Sequence, residues 1–355
     1  MRILSLISFF LLLSFALPAQ NEEALEMAKA AITKMDDGDI SEALELLEKA
    51  WKMDPGNQLY PYEIGYAHYL NEDYAAAVKV LKKLSKKQGA GKQVFSLLGN
   101  AYDNLDNQKK AVKAYKTGIK NYPESGIFYV ELGILEGRRN NWNEAGKYWE
   151  QGIVTEPNYP SNYFHLANLF AQTDNRIWAL LYGEIFMNLE RNSRRTPLMS
   201  ESLYVTWRES VKLEKDSATV DLYQSINWSM TDAMELKFPA PLIYSTAVTF
   251  GTTAVTGKTD LNSTTLHELR AQTLSYWEDK GYFSEYPNIL LDYQKTVRDA
   301  GHFETYNYWL MSQGDPVGWE FWLDGHQEEF DAFVSWFNAN PLEIPKEKVM
   351  VRSTF

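Results

Sequence analysis

A chain of 355 residues without a single cysteine holds no disulfide, no iron–sulfur cluster and no thiol nucleophile, and it leaves any metal site to histidine and carboxylate. At 45% hydrophobic and 14% aromatic it carries the material for a large core, which an unstapled chain of this length requires. Its formal net charge of -12 argues against nucleic acid and anionic lipid as partners, since both are bound through an excess of Lys and Arg.

The chain opens Met1-Arg2, runs through the apolar stretch Ile3 to Leu17, and meets Pro18-Ala19-Gln20 before Asn21-Glu22-Glu23. This order of charge, apolar run and small residues predicts a secretory signal peptide over residues 1–19, with Leu17 and Ala19 at the cleavage-specificity positions. The run falls short of the roughly 20 apolar residues that span a bilayer. The expected product is exported, periplasmic or extracellular, and soluble, with no membrane insertion after signal removal.

From Ala24 a period of 34 residues runs five times, giving segments 24–57, 58–91, 92–125, 126–159 and 160–193. Two columns of small residues line up: Ala31, Gly65, Gly99, Gly133, Ala167 and Ala43, Ala77, Ala111, Ala145, Ala179. With Ala and Gly at roughly a sixth of ordinary sequence, ten such hits by chance have a probability on the order of 10⁻⁸. Each segment reads as two amphipathic helices joined by a polar turn. In the third, Phe95, Leu98, Gly99 and Tyr102 recur at helical spacing, then Leu105-Asp106-Asn107-Gln108 turns the chain, and Ala111, Tyr115 and Gly118 mark the second helix before Pro123 stops it. The small columns predict close helix crossings, with Ala111 against Gly99, and Tyr115 and Trp149 filling space between repeats.

These residues carry a resemblance to the tetratricopeptide repeat (TPR) family. Segment three matches best, and segment four follows through Tyr129, Leu132, Gly133, Ala145, Trp149 and Pro157. Segments two and five depart more, with Pro61 in place of the first-helix aromatic, Gly89 where a closing Pro is usual, and Gly183 in place of the second-helix aromatic. The resemblance implies an all-α superhelical solenoid whose first helices line a concave, peptide-binding surface. By slot, that surface would present Tyr62, Tyr66 and Tyr69, then Asn100, Asp103 and Asn104, then Arg138, then Phe164, Asn168 and Gln172. Members that clamp a C-terminal carboxylate use Lys and Arg with an Asn; Asn100 is present, but Ser96 stands at the Lys slot, so that readout is not expected.

Beyond Arg194-Arg195-Thr196-Pro197 the period is lost while helical spacing persists, which predicts a helical, aromatic-rich domain over 197–340 and an irregular tail over 341–355. Helices are expected over Leu198 to Leu213 and Thr219 to Leu236, ahead of the breaker Phe238-Pro239-Ala240-Pro241. Leu242 to Gly257 reads as a buried helix with Ala247, Gly251 and Ala254 facing a close neighbour, a strand pair being the alternative. Leu261 to Lys280 should close at Gly281, and Pro287 to Ala300 at Gly301; Gly314-Asp315-Pro316 should open a last long helix, Val317 to Asn338. Phe330, Phe333, Trp336 and Phe337 form one face of it, read as core rather than as a ligand cleft.

No His-Glu-x-x-His helix, Gly-x-Ser-x-Gly elbow or phosphate-binding glycine loop occurs, and no cofactor or metal is expected. The sequence points first to an exported scaffold binding a partner protein or peptide. A hydrolase or glycan-acting domain tethered to the repeats, with Asp324, Glu328 or Glu329 as acid beside His326, is the alternative, and a structural subunit of an envelope assembly is another.

Overall fold

A computed structural model describes residues 21–223 and 240–352, so the expected signal peptide and most of the expected helix over 219–236 lie outside the described residues. The protein is all-α: five helix pairs come first, α1 (Glu22–Asp36) with α2 (Ile40–Met53), α3 (Leu59–Leu70) with α4 (Tyr74–Leu84), α5 (Lys92–Asn104) with α6 (Gln108–Asn121), α7 (Ile127–Gly137) with α8 (Trp142–Thr155), and α9 (Pro160–Ala171) with α10 (Arg176–Leu189). The chain parts into two compact units at Ala114/Tyr115, inside α6.

Within the pairs, the turn is as periodic as the small columns. Gly38, Glu72, Asp106 and Asn140, 34 residues apart, all adopt the left-handed conformation, at φ 88, 59, 56 and 62°. The next residue in each case, Asp39, Asp73, Asn107 or Asn141, donates its N–H to the carbonyl of Lys34, His68, Tyr102 or Glu136 at 2.8, 2.9, 2.8 and 3.0 Å. This six-to-one bond satisfies a carbonyl that the end of the first helix leaves without a partner. In two of the four the same residue also caps the second helix with its side chain, Asp73 Oδ1 accepting from Ala76 N at 3.0 Å and Asn107 Oδ1 from Lys110 N at 3.3 Å. Asp and Asn suit the capping position because their short polar side chains accept at a helix start. The fifth pair departs: Gln172 and Thr173 N–H bond back only three residues, to Leu169 and Phe170.

All ten small-column residues are buried. At two of the glycines the residue met is not the partner column but the side chain one turn beyond it. A Cβ on Gly65 would lie 2.6 Å from Leu81, and one on Gly133 would lie 2.1 Å from the Trp149 indole, whose Nε1 donates to Val130 O at 3.2 Å. Trp149 also stacks on His165 of the following pair at 5.1 Å, so it fills space both within and between repeats.

In the N-terminal unit the core is small and local, built on Ala24, Ala28, Ala31, Ala43, Leu47, Ala50 and Tyr60. The C-terminal unit is different. A large core runs from Ala145 and Trp149 on α8, through α9 and α10, to Val351 near the chain end. The later helices are α11 (Thr196–Ser210), α12 (Ala240–Gly251), α13 (Ser263–Asp279), α14 (Tyr282–Glu285), α15 (Ile289–Asp299), α16 (Phe303–Met311), α17 (Pro316–Gly325) and α18 (Gln327–Ala339). The junction expected near residues 194–197 is no linker: Arg195 Nε donates to Glu190 at 2.8 Å, its Nη1 donates to Ser161 at 3.1 Å, and its guanidinium lies 5.0 Å from the Phe164 ring.

Several element expectations need correction. The helix read over Leu198 to Leu213 ends at Ser210, and Val211–Leu213 (β1) pairs antiparallel with Ala218–Val220 (β2). The charged run after Lys212 is the hairpin turn, closed by Glu214 N–H to Ser217 O at 2.9 Å; consequently Thr219 sits in a strand and not at a helix start. The last long helix is two, broken at Gly325-His326, where the His326 ring Nδ1 lies 2.7 Å from Trp322 O and stacks on the Trp322 ring at 4.6 Å. Ala254 is exposed, whereas Gly251 lies so close to α13 that a Cβ would meet Leu269 O at 2.7 Å. The threonines of that segment turn their hydroxyls back to carbonyls three or four residues earlier, as Thr246 does to Leu242 O at 2.9 Å. Helix α13 opens on a capping box, Asn262 with Thr265, and α15 on Asn288; Gly281 and Gly301 follow them with φ 73 and 81°.

The core of the C-terminal unit contains a buried ion pair. Arg270 (α13) and Glu184 (α10), 4% and 3% exposed at the side chain, make two parallel bonds of 2.8 and 2.7 Å. Gln294 (α15) and Tyr306 (α16) donate to the same carboxylate at 2.7 and 2.8 Å, Arg270 Nε donates to Asn307 Oδ1, and Asn188 Nδ2 donates to Tyr306 at 2.7 Å. Burial alone would lower the Arg270 pKa, but Glu184 outweighs it and holds the guanidinium above its ordinary value. One carboxylate thus ties the second helix of repeat five to three helices beyond the repeats.

The tail expected to be irregular is so in backbone yet tightly held. Asn158, between α8 and α9, donates to Ile344 O at 3.1 Å and accepts from Ile344 N at 2.8 Å, while Arg352 grips Glu150 of α8 at 2.6 and 2.9 Å. Leu342, Ile344, Met350 and Val351 are buried.

Candidate functional site

The expected partner-binding residues sit on first helices, and each unit holds its own set. In the N-terminal unit Tyr62, Tyr66 and Tyr69 lie along α3, successive turns apart, because spacings of three and four residues return to one helix face. Tyr66 is 37% exposed. Burial, reinforced by Glu63 and Tyr66, pushes the Tyr62 hydroxyl up to about 12, so it stays a neutral donor at any physiological pH. Asn104 Nδ2 donates to Tyr69 Oη at 3.1 Å and to Asn100 O at 2.9 Å, which joins the α3 and α5 sets into one surface; the Tyr69 ring is steadied edge-on by Tyr74 at 5.3 Å. Asn100 and Asp103 are half-buried on the same helix α5.

In the C-terminal unit the expected residues separate. Arg138 is exposed at the C-cap of α7. Phe164 turns inward and packs on Phe186 at 5.1 Å beneath Arg195, so its ring is taken up by the core. Asn168, one turn on, is exposed, and its Nδ2 donates to Phe164 O at 2.8 Å. Asn168 and Gln172 line a cavity of about 550 Å³ with Trp142, Trp149, His165, Leu169 and Thr173.

The cavity has an aromatic floor and an amide rim. Trp142, 49% exposed, opens α8 at the position held by Ile40, Tyr74, Gln108 and Arg176 in the other pairs. Such an exposed ring at a helix start was a signal available in the sequence and not taken up. His165 lies flat on Trp149, and burial, with Arg195 nearby, lowers its pKa to about 4; the ring is therefore neutral near pH 7. An uncharged, largely apolar recess edged by amides suits an apolar or aromatic side chain presented on a polar backbone.

The carboxylates considered for acid catalysis offer no comparable arrangement. Asp324, Glu328 and Glu329 are exposed, and His326 is engaged with Trp322. Phe333 and Phe337 are buried, with Phe330 and Trp336 packed beside them, so the aromatic face of the last helix is core. Among the described residues no group of three or more His, Cys, Asp or Glu is placed to hold a metal ion, and no helix is long and apolar enough to cross a membrane.

Two family models described as tetratricopeptide repeat match residues 34–101 and 93–125. A comparison with curated proteins finds no match. Among solved structures, the chain is similar to MamA (20% identity, 45% of this chain and 94% of that one, TM-score 0.36). It is also similar to a thermophilic TPR protein of Thermus thermophilus (16% identity, 51% and 98%, TM-score 0.43) and to PilW, a type IV pilus biogenesis factor (16% identity, 53% and 87%, TM-score 0.41).

Proposed function

We propose, on the premise that this chain is built on tetratricopeptide repeats, that it is an exported scaffold whose first helices capture a segment of a partner protein. The observation that carries this reading is that each unit sets aromatic rings beside first-helix amides: Tyr69 is bonded by Asn104 on a surface that also carries Tyr62, Tyr66 and Asn100, and Trp142, from the start of the second helix α8, shares a cavity with Asn168 and Gln172. Aromatic side chains most often carry binding energy, while an amide bonds a peptide backbone whatever its sequence. The charge-apolar-small order of residues 1–19 supports export.

The test is affinity capture from the cell-envelope fraction with the mature protein and two variants. Tyr66→Ala with Asn100→Ala should weaken capture at least tenfold, which asks about 1.4 kcal/mol of two side chains. Trp142→Ala should do the same for whatever occupies the cavity on α8 and α9. If both variants keep the wild-type circular dichroism and recover the same partners in the same yield, the first-helix reading is wrong.

A further inference from the structure

A second surface, in the N-terminal unit and centred on α4, has a chemistry of its own. Between Tyr74 and Tyr102 the chain carries six lysines and no aspartate or glutamate, within a protein whose formal charge is -12. Five of the six, Lys79, Lys82, Lys83, Lys86 and Lys87, lie on α4 and the turn after it; all are exposed, and none has an acidic partner among the described residues. Lys79, Lys83 and Lys87 recur every fourth residue and edge a groove of about 320 Å³. Its walls are apolar: Trp51 of α2, Pro61 of α3, and Ala76, Val80 and Leu84 of α4, with His68 of α3 beside them.

We infer that this groove docks an acidic peptide segment carrying apolar side chains, and that it does so independently of the first-helix face. Three arguments converge. Like charges this dense repel one another, so their grouping without counter-ions costs stability that an anionic occupant returns. Lysines four residues apart on a helix stand about 6 Å apart along the axis, close to the roughly 6.6 Å between alternate residues of an extended chain, so carboxylates at alternate positions face successive lysines. The groove is recessed and has a Trp in its wall, which favours a peptide side chain over the flat contact that a lipid surface makes.

The experiment uses the mature full-length chain and fluorescein-labelled eight-residue peptides in which Glu alternates with Leu and Phe, read by fluorescence anisotropy. The Glu peptide is expected to bind, at least tenfold more tightly than its Gln counterpart, and to weaken as sodium chloride rises from about 50 to about 500 mM because the Debye length shrinks. Lys83→Glu with Lys87→Glu, both exposed positions, should cost at least tenfold in affinity with unchanged circular dichroism. Val80→Ser should weaken binding without altering the salt slope. Tyr66→Ala with Asn100→Ala should keep the peptide affinity, which separates this site from the first-helix reading. Equal binding of the Gln peptide, or indifference to the lysine reversals, overturns the inference. So does capture of phosphatidylglycerol vesicles without capture of the peptide. Low-salt sedimentation as an oligomer that Lys83→Glu with Lys87→Glu disperses also overturns it, because the occupant would then be the acidic first helices of a second copy.

Discussion

The two units of this protein solve the same packing problem in opposite ways. In the N-terminal unit, contact is made mostly between neighbours in sequence: alanines and Gly65 let helices approach, and the repeated left-handed turn sets each pair. Stability there is a sum of similar local terms, as in other repeat arrays. In the C-terminal unit the repeats continue, but their core is shared with segments 86 to 186 residues away, through Glu184 and Arg270, Asn188 and Tyr306, and the tail on Asn158. The difference teaches that a regular period in sequence marks the local architecture and says nothing about where cooperativity ends.

The largest expected effect falls on the ion pair. Arg270→Met leaves Glu184 buried without its cation and should cost about 3–5 kcal/mol, because an uncompensated buried charge is expensive. Urea unfolding followed by hydrogen exchange should show the loss confined to the C-terminal unit. Changing both residues to Met should recover much of it; a single-variant cost under about 1 kcal/mol would mean the pair does not hold α10 to α13.

Next in size is a pH effect peculiar to the same unit. His165 has a folded pKa of about 4 against an ordinary 6.5, since burial disfavours its cation. Between those values the unfolded chain binds a proton that the native chain refuses, so stability falls as pH drops through that window and the contribution is constant below it. The loss is at most about 3 kcal/mol. His267 and His302 are also lowered by burial, so the measurement is the difference between wild type and His165→Gln, whose melting temperature should depend less on pH between about 6.5 and 4. Parallel pH profiles would show that His165 is not buried as described.

In the N-terminal unit, Ala77→Leu should overpack the close approach between α3 and α4 and cost about 1–3 kcal/mol. An unchanged melting temperature would detach the small-residue column from helix packing. The smallest effect has the opposite sign. Glu72 holds a left-handed backbone with a Cβ, so Glu72→Gly should stabilise by about 0.5–1 kcal/mol after the added freedom of the unfolded chain is discounted. The same change at exposed Glu23, inside α1, should destabilise by about as much, which makes the pair of variants a test of the turn alone.

Much of the surface proposed to bind was legible by slot, because helical spacing fixes which residues share a face: Tyr62 with Tyr66, and Tyr69 within reach of Asn104. Phe164 shows the limit, since its slot faces outward only if nothing else packs there, and Arg195 with Phe186 does. The basic groove was hidden by averaging, because a net charge of -12 conceals a segment of six lysines without an acid.

The sequence by itself determined the repeat, its helix pairs, the cap at Asp315 and the glycines that end helices, because all of these depend on residues within a turn or two of one another. The tertiary structure alone decided that Glu184 would find Arg270, that Val211 would leave a helix for a hairpin, and that the tail would lie on repeats four and five. Those outcomes depend on which distant groups share a desolvated space, and a buried charge or an unpaired backbone segment is stable only where its partner has been brought.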